Sequence, residues 1–468
     1  MQVKKVDVAI VGTGTAGMGA YRAATALTDS VVLIEGSHYG TTCARVGCMP
    51  SKLLIAAAEA AHSAEHTAPF GIHLDGEILI DGVEVMQRVR SERDRFVGFV
   101  LESVESFKSE HKMRGFARFE DPHTLLVDEH TRIEAKSIVL AVGSTPDVPA
   151  IFNDLGNRVI INDDVFDWQD LPDSVGVFGP GVVGLELGQA LHRLKVRTTI
   201  FGRGGRVGPI SDPEIKTYSK KILSQELDLQ FAAKLQSIQR APEGVDVHFL
   251  DNDGYLRREN YEYLLVTTGR RPNFDKLKIE NAQLELDDRG VPLFNSSTMQ
   301  CGNSHIFIAG DANNQLPLLH EASDEGRIAG ANAARFPQIE MGQRRSPLNV
   351  VFCDPQMAIA GLSHAEIVDK NLDFVTGKVS FENQGRSRVM LVNRGIMHIY
   401  AQKSSGLFLG AEIFGPRAEN LGHLLSWSHQ QKLSVTEMLD MAFYHPVIEE
   451  GLRTALRDAN SQLSSQAK

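Results

Sequence analysis

The chain has 468 residues, 42% of them hydrophobic and 23% charged, with a formal net charge of −11. That length implies about three domains, because a single core rarely grows beyond ~250–300 residues. The acidic balance leaves no footprint for nucleic acid, and no apolar run reaches the ~18 residues of a membrane-spanning helix, so neither partner is expected. Only four cysteines occur, which suits a reducing compartment and a cytoplasmic location.

The N-terminal MQVKKVDVAIVGTG has lysines before an apolar run, but the run is short and enters a glycine-rich turn, so it reads as a first β-strand rather than an export signal. The turn GTGTAG carries Gly12, Gly14 and Gly17, followed by a helix and the strand SVVLIE ending in Glu35. In such a unit the first glycine allows the tight turn, the second lets backbone approach a pyrophosphate, and the third allows close helix–strand packing. The pyrophosphate would rest on helix N-terminal amides. Glu35 stands where a carboxylate hydrogen-bonds a ribose 2′-hydroxyl.

Next comes GTTCARVGCMPSK, with Cys43 and Cys48. Positions i and i+5 of a regular helix lie about 140° apart around the axis, so a bond between them requires a loop or a distorted first turn. Pro50 suits an early helical position and the alanine-rich run after it is strongly helical, which puts Cys48 near a helix N-terminus, where negative charge is favoured. A structural disulfide or two inert thiols is the bland reading of such a pair. A metal is not expected here, since no second Cys/His pair completes a tetrahedral site.

Residues 83–107 space Val85, Val89, Phe96, Val100, Val104 and Phe107 as a helical core stripe. SIVLAVGSTP then brings a strand to Gly143. A second strand–turn–helix–strand unit follows, SVGVFG, GPGVVG and VRTTIFG, with Gly179, Gly181 and Gly184. Here Gly202 occupies the position equivalent to Glu35, followed by Arg203 and Arg206. Those arginines either accept a 2′-phosphate or are solvated turn residues. YLLVTTGRRPN ends a strand at Gly269, and IFIAGDANN ends one at Gly310 and Asp311. A carboxylate at a strand's carboxyl end lies where open α/β sheets bind ligands, although turns and helix caps also favour aspartate. After residue 345 the strand-like runs VVFCDPQMAIAGL, FVTGKVSF, GIMHIYAQ and GLFLGAEIFG precede helical patterns from Asn420 onward, which reads as a separate α+β domain. The polar tail SQLSSQAK is expected to be mobile.

Together GTGTAG with Glu35, the Cys43/Cys48 stretch through Lys52, GPGVVGLELG, TTGRRPN, AGDANN, DPQMAIAGL and FYHPVIEE resemble the pyridine nucleotide–disulfide oxidoreductases over nearly the whole chain, and among them most the dihydrolipoamide dehydrogenases. The resemblance implies an α/β fold of two Rossmann-like dinucleotide-binding domains and a C-terminal α+β dimerisation domain. The expected boundaries are 1–148 and 271–345 for FAD, 149–270 for NAD or NADP, and 346–468 for dimerisation. It implies cofactor contacts from Gly12, Gly14, Gly17, Glu35, Thr42, Lys52, Ala117, Gly143, Ser144, Gly310, Asp311, Leu319 and His320. Gly179, Gly181, Gly184, Gly202, Arg203 and Gly269 are carried over for the nicotinamide side. Lys52 and Glu186 would pair beside the flavin.

By the same resemblance His445 and Glu450 form an acid/base unit that reaches the thiols of the other subunit of a homodimer, with a cis bond before Pro446. In isolation the segment reads as a His–Pro turn followed by an acidic helix start. Its chemistry fits: thiol–disulfide exchange needs a proton acceptor, histidine titrates near neutrality, and a carboxylate orients the ring. A dithiol, small or on a lipoyl domain, would attack Cys43 while His445 takes its proton, and Cys48 would pass electrons to flavin and on to the nicotinamide.

Four positions depart from the pattern: Arg45 between the cysteines, a charge that lowers thiol pKa or alters substrate choice; Thr41; Val447 with Glu449; and Gly202. The tail lacks the extra cysteines of mercuric and large thioredoxin reductases, and the thiol pair is one that soluble transhydrogenases lack. Alternatives are an NADPH-dependent, glutathione-reductase-like enzyme, favoured by Arg203 and Arg206 but not by Gly184, and a non-catalytic flavoprotein sensor or complex subunit.

Overall fold

The computed structural model describes residues 1–466. The backbone forms two compact units, the first built from Met1–Leu53, Gln87–Asp147 and Gly269–Arg345, the second from Leu54–Met86, Val148–Thr268 and the chain from Ser346 onward.

In the first unit, β1 (Gln2–Val11) lies between β2 (Val31–Glu35) and the strand Thr131–Leu140, parallel to both. The latter strand shows how sequence pattern follows surroundings. Its first half, TRIEAK, alternates buried and less buried residues and pairs antiparallel with Thr124–Val127. Its second half, SIVL, is continuously buried and pairs in parallel with Ile306–Ile308. A parallel sheet covered on both faces needs apolar side chains in succession, whereas a one-sided antiparallel segment needs only every second one. Helix α1 (Thr15–Thr25) packs against the helix Leu319–Arg335. A Cβ at Gly326 or Gly330 would stand 2.2 Å from the carbonyl oxygen of Ala16 or Ala20, so the small residues set this close approach.

The second unit contains a five-stranded parallel sheet in the order Asp228–Gln230, Arg197–Phe201, Ser174–Phe178, Tyr263–Val266, Val159–Ile160. A three-stranded antiparallel sheet spans Lys234–Tyr261. A five-stranded antiparallel sheet carries the helices Ala418–Gln430 and Glu450–Gln466 over an apolar core that includes Met397, Ile399, Ile413, Leu421 and Ala455. The whole is α/β with a C-terminal α+β portion, as its periodicities imply.

Three details differ from the sequence reading. VVFCDPQMAIAGL is not one strand but two, Leu348–Val351 and Gln356–Gly361, paired antiparallel, since Pro355 has no N–H to give a ladder. The core stripe on the helix Gly82–Glu105 includes Met86 and Val97, while Phe107 follows the helix end. The polar tail is helical through Gln466, carried by the amphipathic Glu450–Gln466 helix; residues 467 and 468 lie outside the described residues. Among the described residues no helix is long and apolar enough to cross a membrane.

Candidate active site

The first glycine turn joins β1 to α1. Gly12 has φ +108°, and a Cβ there would lie 2.2 Å from the Ala141 carbonyl oxygen; one at Gly17 would lie 1.9 Å from that of Gly12. Only glycine fits either position. A Cβ at Gly14, just before the helix, would instead meet nothing within 4 Å. That open space beside a helix N-terminus fits the pyrophosphate of a dinucleotide. Glu35, at the end of β2, is held by Thr13, whose backbone N–H and hydroxyl donate to Oε2 at 2.9 and 2.8 Å, while Ser37 N–H donates to Oε1 at 2.8 Å.

Gly143 has φ +67° and open space at its α-carbon. Its neighbour Ser144 donates to Asp311 Oδ2 at 2.8 Å and accepts from Arg270 Nε at 2.8 Å. Gly310 N–H donates to Glu325 Oε2 at 2.8 Å, as does Asn313 Nδ2 at 2.7 Å. Glu325 is fully buried, and burial raises its pKa, opposed by the Gly310 N–H bond and the Arg344 charge. Thr13, Arg270 and Glu325 thus hold Glu35, Ser144 and Gly310, and the sequence reading assigned none of the three a role. Leu319 and His320 open the helix Leu319–Arg335, and the buried Ala117 begins the strand Ala117–Asp121.

Cys43 is the second residue of α2 (Thr42–Val46), and Cys48 the first of α3 (Cys48–Glu65). Between them Gly47 breaks the helix with φ −128° and ψ −117°. A Cβ at Gly47 would come within 3.1 Å of both Cys43 Cα and the Thr42 carbonyl oxygen. This small residue lets the two helices close up, which the sequence reading missed. The cysteines are thiols in the structure, near disulfide distance. The Cys43 thiol is held well above its ordinary range, first by a hydrogen bond with Cys48 and then by burial, against the charge of Lys52. Thr41 caps α2 by accepting from Ala44 N–H at 3.2 Å. Arg45 donates to the Tyr39 carbonyl at 3.2 Å, and Lys52, in the first turns of α3, is a cation that acts against the raised Cys43 pKa.

In the second unit, Gly179 (φ +115°) and Gly184 repeat the crowding of Gly12 and Gly17, and Gly181 repeats the open space of Gly14. At Gly202, however, a Cβ would lie 2.6 Å from Pro180 Cγ and 3.2 Å from Phe231 Cα, so a side chain there would require Pro180 to shift. Arg203 and Arg206 are exposed, and the Lys220 ammonium stands 3.2 Å from where a Gly205 Cβ would be. Gly269 is exposed, with φ +153° and open space around it. Glu186, 4% exposed on the helix Val182–Arg193, accepts from Phe352 N–H at 3.0 Å.

His445 precedes a cis peptide bond to Pro446 and is 79% exposed at its side chain. Its Nδ1 lies 3.0 Å from Glu450 Oε2, and Arg453 donates to Glu450 Oε1 at 2.7 Å. Glu450 opens its helix, where the dipole favours a carboxylate. Desolvation acts to raise its pKa, but the bonds from His445 and Val447 and the charges of His445 and Arg453 bring it below the ordinary range. A carboxylate that fixes Nδ1–H leaves Nε2, on an exposed ring, able to accept a proton.

The sequence pattern of the family described as pyridine nucleotide-disulphide oxidoreductase matches residues 6–326, and that of its dimerisation domain matches 348–456. Dihydrolipoyl dehydrogenase of Bacillus subtilis is 28% identical over 453 residues, covering 95% of this chain and 94% of the relative. The enzyme of the same name from Geobacillus stearothermophilus is 28% identical over 452 residues, with 95% and 94% covered. Among solved structures, the HOCl-induced flavoprotein disulfide reductase RclA of Escherichia coli superposes with a TM-score of 0.79 at 22% identity, covering 97% of this chain and 99% of that one. LpdA of Mycobacterium tuberculosis gives 0.81 at 22% identity, with 97% and 99% covered.

Proposed function

The chain belongs to the pyridine nucleotide-disulphide oxidoreductase family, and from that premise we propose that it is a dihydrolipoamide dehydrogenase-type enzyme that oxidises a dithiol through Cys43 and Cys48. The observation that carries the reading is the thiol pair set across the Gly47 break, one sulfur half-buried and the other at the start of α3. FAD fits the open space at Gly14, with Glu35 for the ribose and Asp311, steadied by Ser144, near the strand ends. Residues 1–148 and 271–345 would hold it, 149–270 the nicotinamide, and 346–468 would join two subunits. Lys52 and Glu186 would pair beside it, and a reducing compartment such as the cytoplasm would suit the thiols. When bound, FAD supplies the two-electron relay to the nicotinamide.

The residues divide the sulfur chemistry. A substrate thiol would give its proton to His445 as it attacks Cys43 Sγ; the Cys43–Cys48 bond breaks, and Cys48 leaves as a thiolate favoured by the helix N-terminus. The second substrate thiol loses its proton to solvent and attacks the substrate sulfur bound to Cys43, forming the substrate disulfide, while Cys43 leaves and takes up the proton held by His445. The dipole at the N-terminus of α3 favours the negative charge of the reduced pair on Cys48. The dyad of one subunit would serve the thiols of the other.

A second reading, an NADPH-dependent disulfide reductase, is supported by Gly202, which leaves no carboxylate for the 2′-hydroxyl, and by the cations Arg203, Arg206 and Lys220 around that loop. Steady-state assays of dihydrolipoamide with NAD+ and NADP+, beside glutathione disulfide with NADH and NADPH, separate the two. Turnover of dihydrolipoamide with NAD+ supports the first reading; turnover of glutathione disulfide alone, with NADPH, replaces it by the second.

A further inference from the structure

We propose that Arg270 is a positioning residue for FAD, acting through the Ser144 hydroxyl on the Asp311 carboxylate. The proposal rests on the FAD reading above, which uses neither arginine of the segment TTGRRPN. The two arginines differ in their surroundings. Arg271 pairs with Asp275, four residues along, and both side chains are largely exposed, so it is a solvated surface pair. Arg270 is half-buried and turns to Ser144: Nε donates to Oγ and Nη2 to the carbonyl oxygen, each at 2.8 Å.

Chemistry fixes the direction of this relay. A guanidinium only donates, so Ser144 Oγ receives from Arg270. A carboxylate only accepts, so the serine hydrogen is directed to Asp311 Oδ2, 2.8 Å away. A hydroxyl that accepts from a cation is polarised and donates more strongly. One oxygen of Asp311 is thereby committed, and Oδ1 is left to accept from a hydroxyl of the cofactor.

The backbone holds the relay stiffly. Arg270–Pro272 and Ser144–Pro146 form an antiparallel two-stranded ribbon, with Arg270 opposite Pro146 and Pro272 opposite Ser144. Its flanks are tied as well: Asp147 N–H donates to the Gly269 carbonyl at 3.0 Å, and Asn273 N–H to the Gly143 carbonyl at 3.1 Å. The ribbon packs against the turn Gly310–Asn313, which carries Asp311. Glu325 fixes the backbone of that turn through the Gly310 N–H. Asp311 is therefore held twice, its backbone by Glu325 and its side chain by Arg270 through Ser144. A carboxylate on a short turn otherwise has rotamers to lose on binding; here that cost is met by the fold before FAD arrives.

The test dilutes the holoenzyme and follows released FAD by its fluorescence, a readout independent of turnover. Arg270→Ala should raise the FAD dissociation constant ~10-fold or more, the size of a hydrogen bond to a charged group. Ser144→Ala should do the same, and the double variant should stay within ~twofold of the weaker single one, since both cut one relay. Arg270→Lys returns a cation and a donor and should recover part of the loss, which a merely structural defect would not. A change below ~twofold in Arg270→Ala, or losses that multiply in the double variant, overturns the proposal. A wild type that retains FAD but oxidises no dithiol leaves the proposal standing and removes the reaction; one that retains no FAD overturns both.

Discussion

Two histidine–carboxylate pairs in the second unit have nearly the same geometry and opposite surroundings. His445 Nδ1 stands 3.0 Å from Glu450, with the ring side chain 79% exposed; His398 Nδ1 stands 2.8 Å from Asp212, with 3% and 6% of the two side chains exposed. Asp212 also accepts from the Tyr400 hydroxyl at 3.0 Å and from Glu214 N–H at 2.9 Å, capping the helix Pro213–Leu223. Its backbone N–H donates in turn to the fully buried Glu412 at 2.9 Å. The buried pair has both Asp212 oxygens engaged and ties that helix to the antiparallel sheet. The exposed pair leaves one imidazole nitrogen facing outward. What separates a proton-transfer unit from a structural tie is therefore the access of the second nitrogen to solvent, since the bond itself is shared.

Replacing each histidine tests this separation, and the largest effect is expected at the exposed one. His445→Gln should reduce turnover by ~10²–10⁴-fold with an unchanged melting temperature. A loss under threefold would assign the base elsewhere. At the buried pair the effect should move from rate to stability. Asp212→Ala leaves His398 and Tyr400 without their acceptor and should cost about 3–5 kcal/mol in denaturant unfolding, while the protein that remains folded keeps its turnover. If turnover collapses as well without unfolding, the buried pair belongs to the catalytic machinery and the contrast fails.

The same contrast explains what the sequence could and could not reveal. FYHPVIEE places His445 and Glu450 five residues apart, so a local reading finds the dyad. Asp212 and His398 are 186 residues apart and meet only because the antiparallel sheet is built beside the Pro213–Leu223 helix. The glycine turns were legible from their local Gly-x-Gly-x-x-Gly spacing, although the crowding at Gly12 and Gly179 comes from the distant Ala141 and Thr267. Gly202, by contrast, is explained by contact with Pro180, 22 residues earlier, and Glu325 by the Gly310 amide, 15 residues earlier. Gly47 was within view, yet its role lies in the approach of two helix ends, which spacing alone does not encode. Arg45 is adjacent to the cysteines in sequence, and the hydrogen bond of its guanidinium to the Tyr39 carbonyl was not legible there.

Acid provides a subtler separation. Burial acts to raise the Asp212 pKa, but the hydrogen bond and charge of His398 outweigh it and the net shift is strongly downward. A carboxylate depressed in the folded state contributes stability that is complete above its unfolded pKa, about 3.9, and is lost as pH falls through the folded value. Unfolding free energy should accordingly decline below about pH 4, more steeply in the wild type than in Asp212→Asn. Parallel slopes would show that the buried pair does not govern acid stability.

The smallest expected change lies at Arg453, whose guanidinium donates to Glu450 Oε1 while Oε2 holds His445. The Arg453 side chain is 32% exposed, so its charge is partly screened and contributes at most about 1 kcal/mol. Arg453→Ala should leave the His445–Glu450 bond in place but weaken the support of Glu450. Turnover should fall by no more than about fivefold, with the acid limb of the pH–rate profile moved by a fraction of a unit. Arg453→Lys should recover part of that loss, because the charge returns without the guanidinium geometry. A tenfold or greater fall in Arg453→Ala, unrelieved by lysine, would mean that the exposed dyad depends on a rigid carboxylate as strongly as the buried one does, and exposure alone would no longer distinguish them.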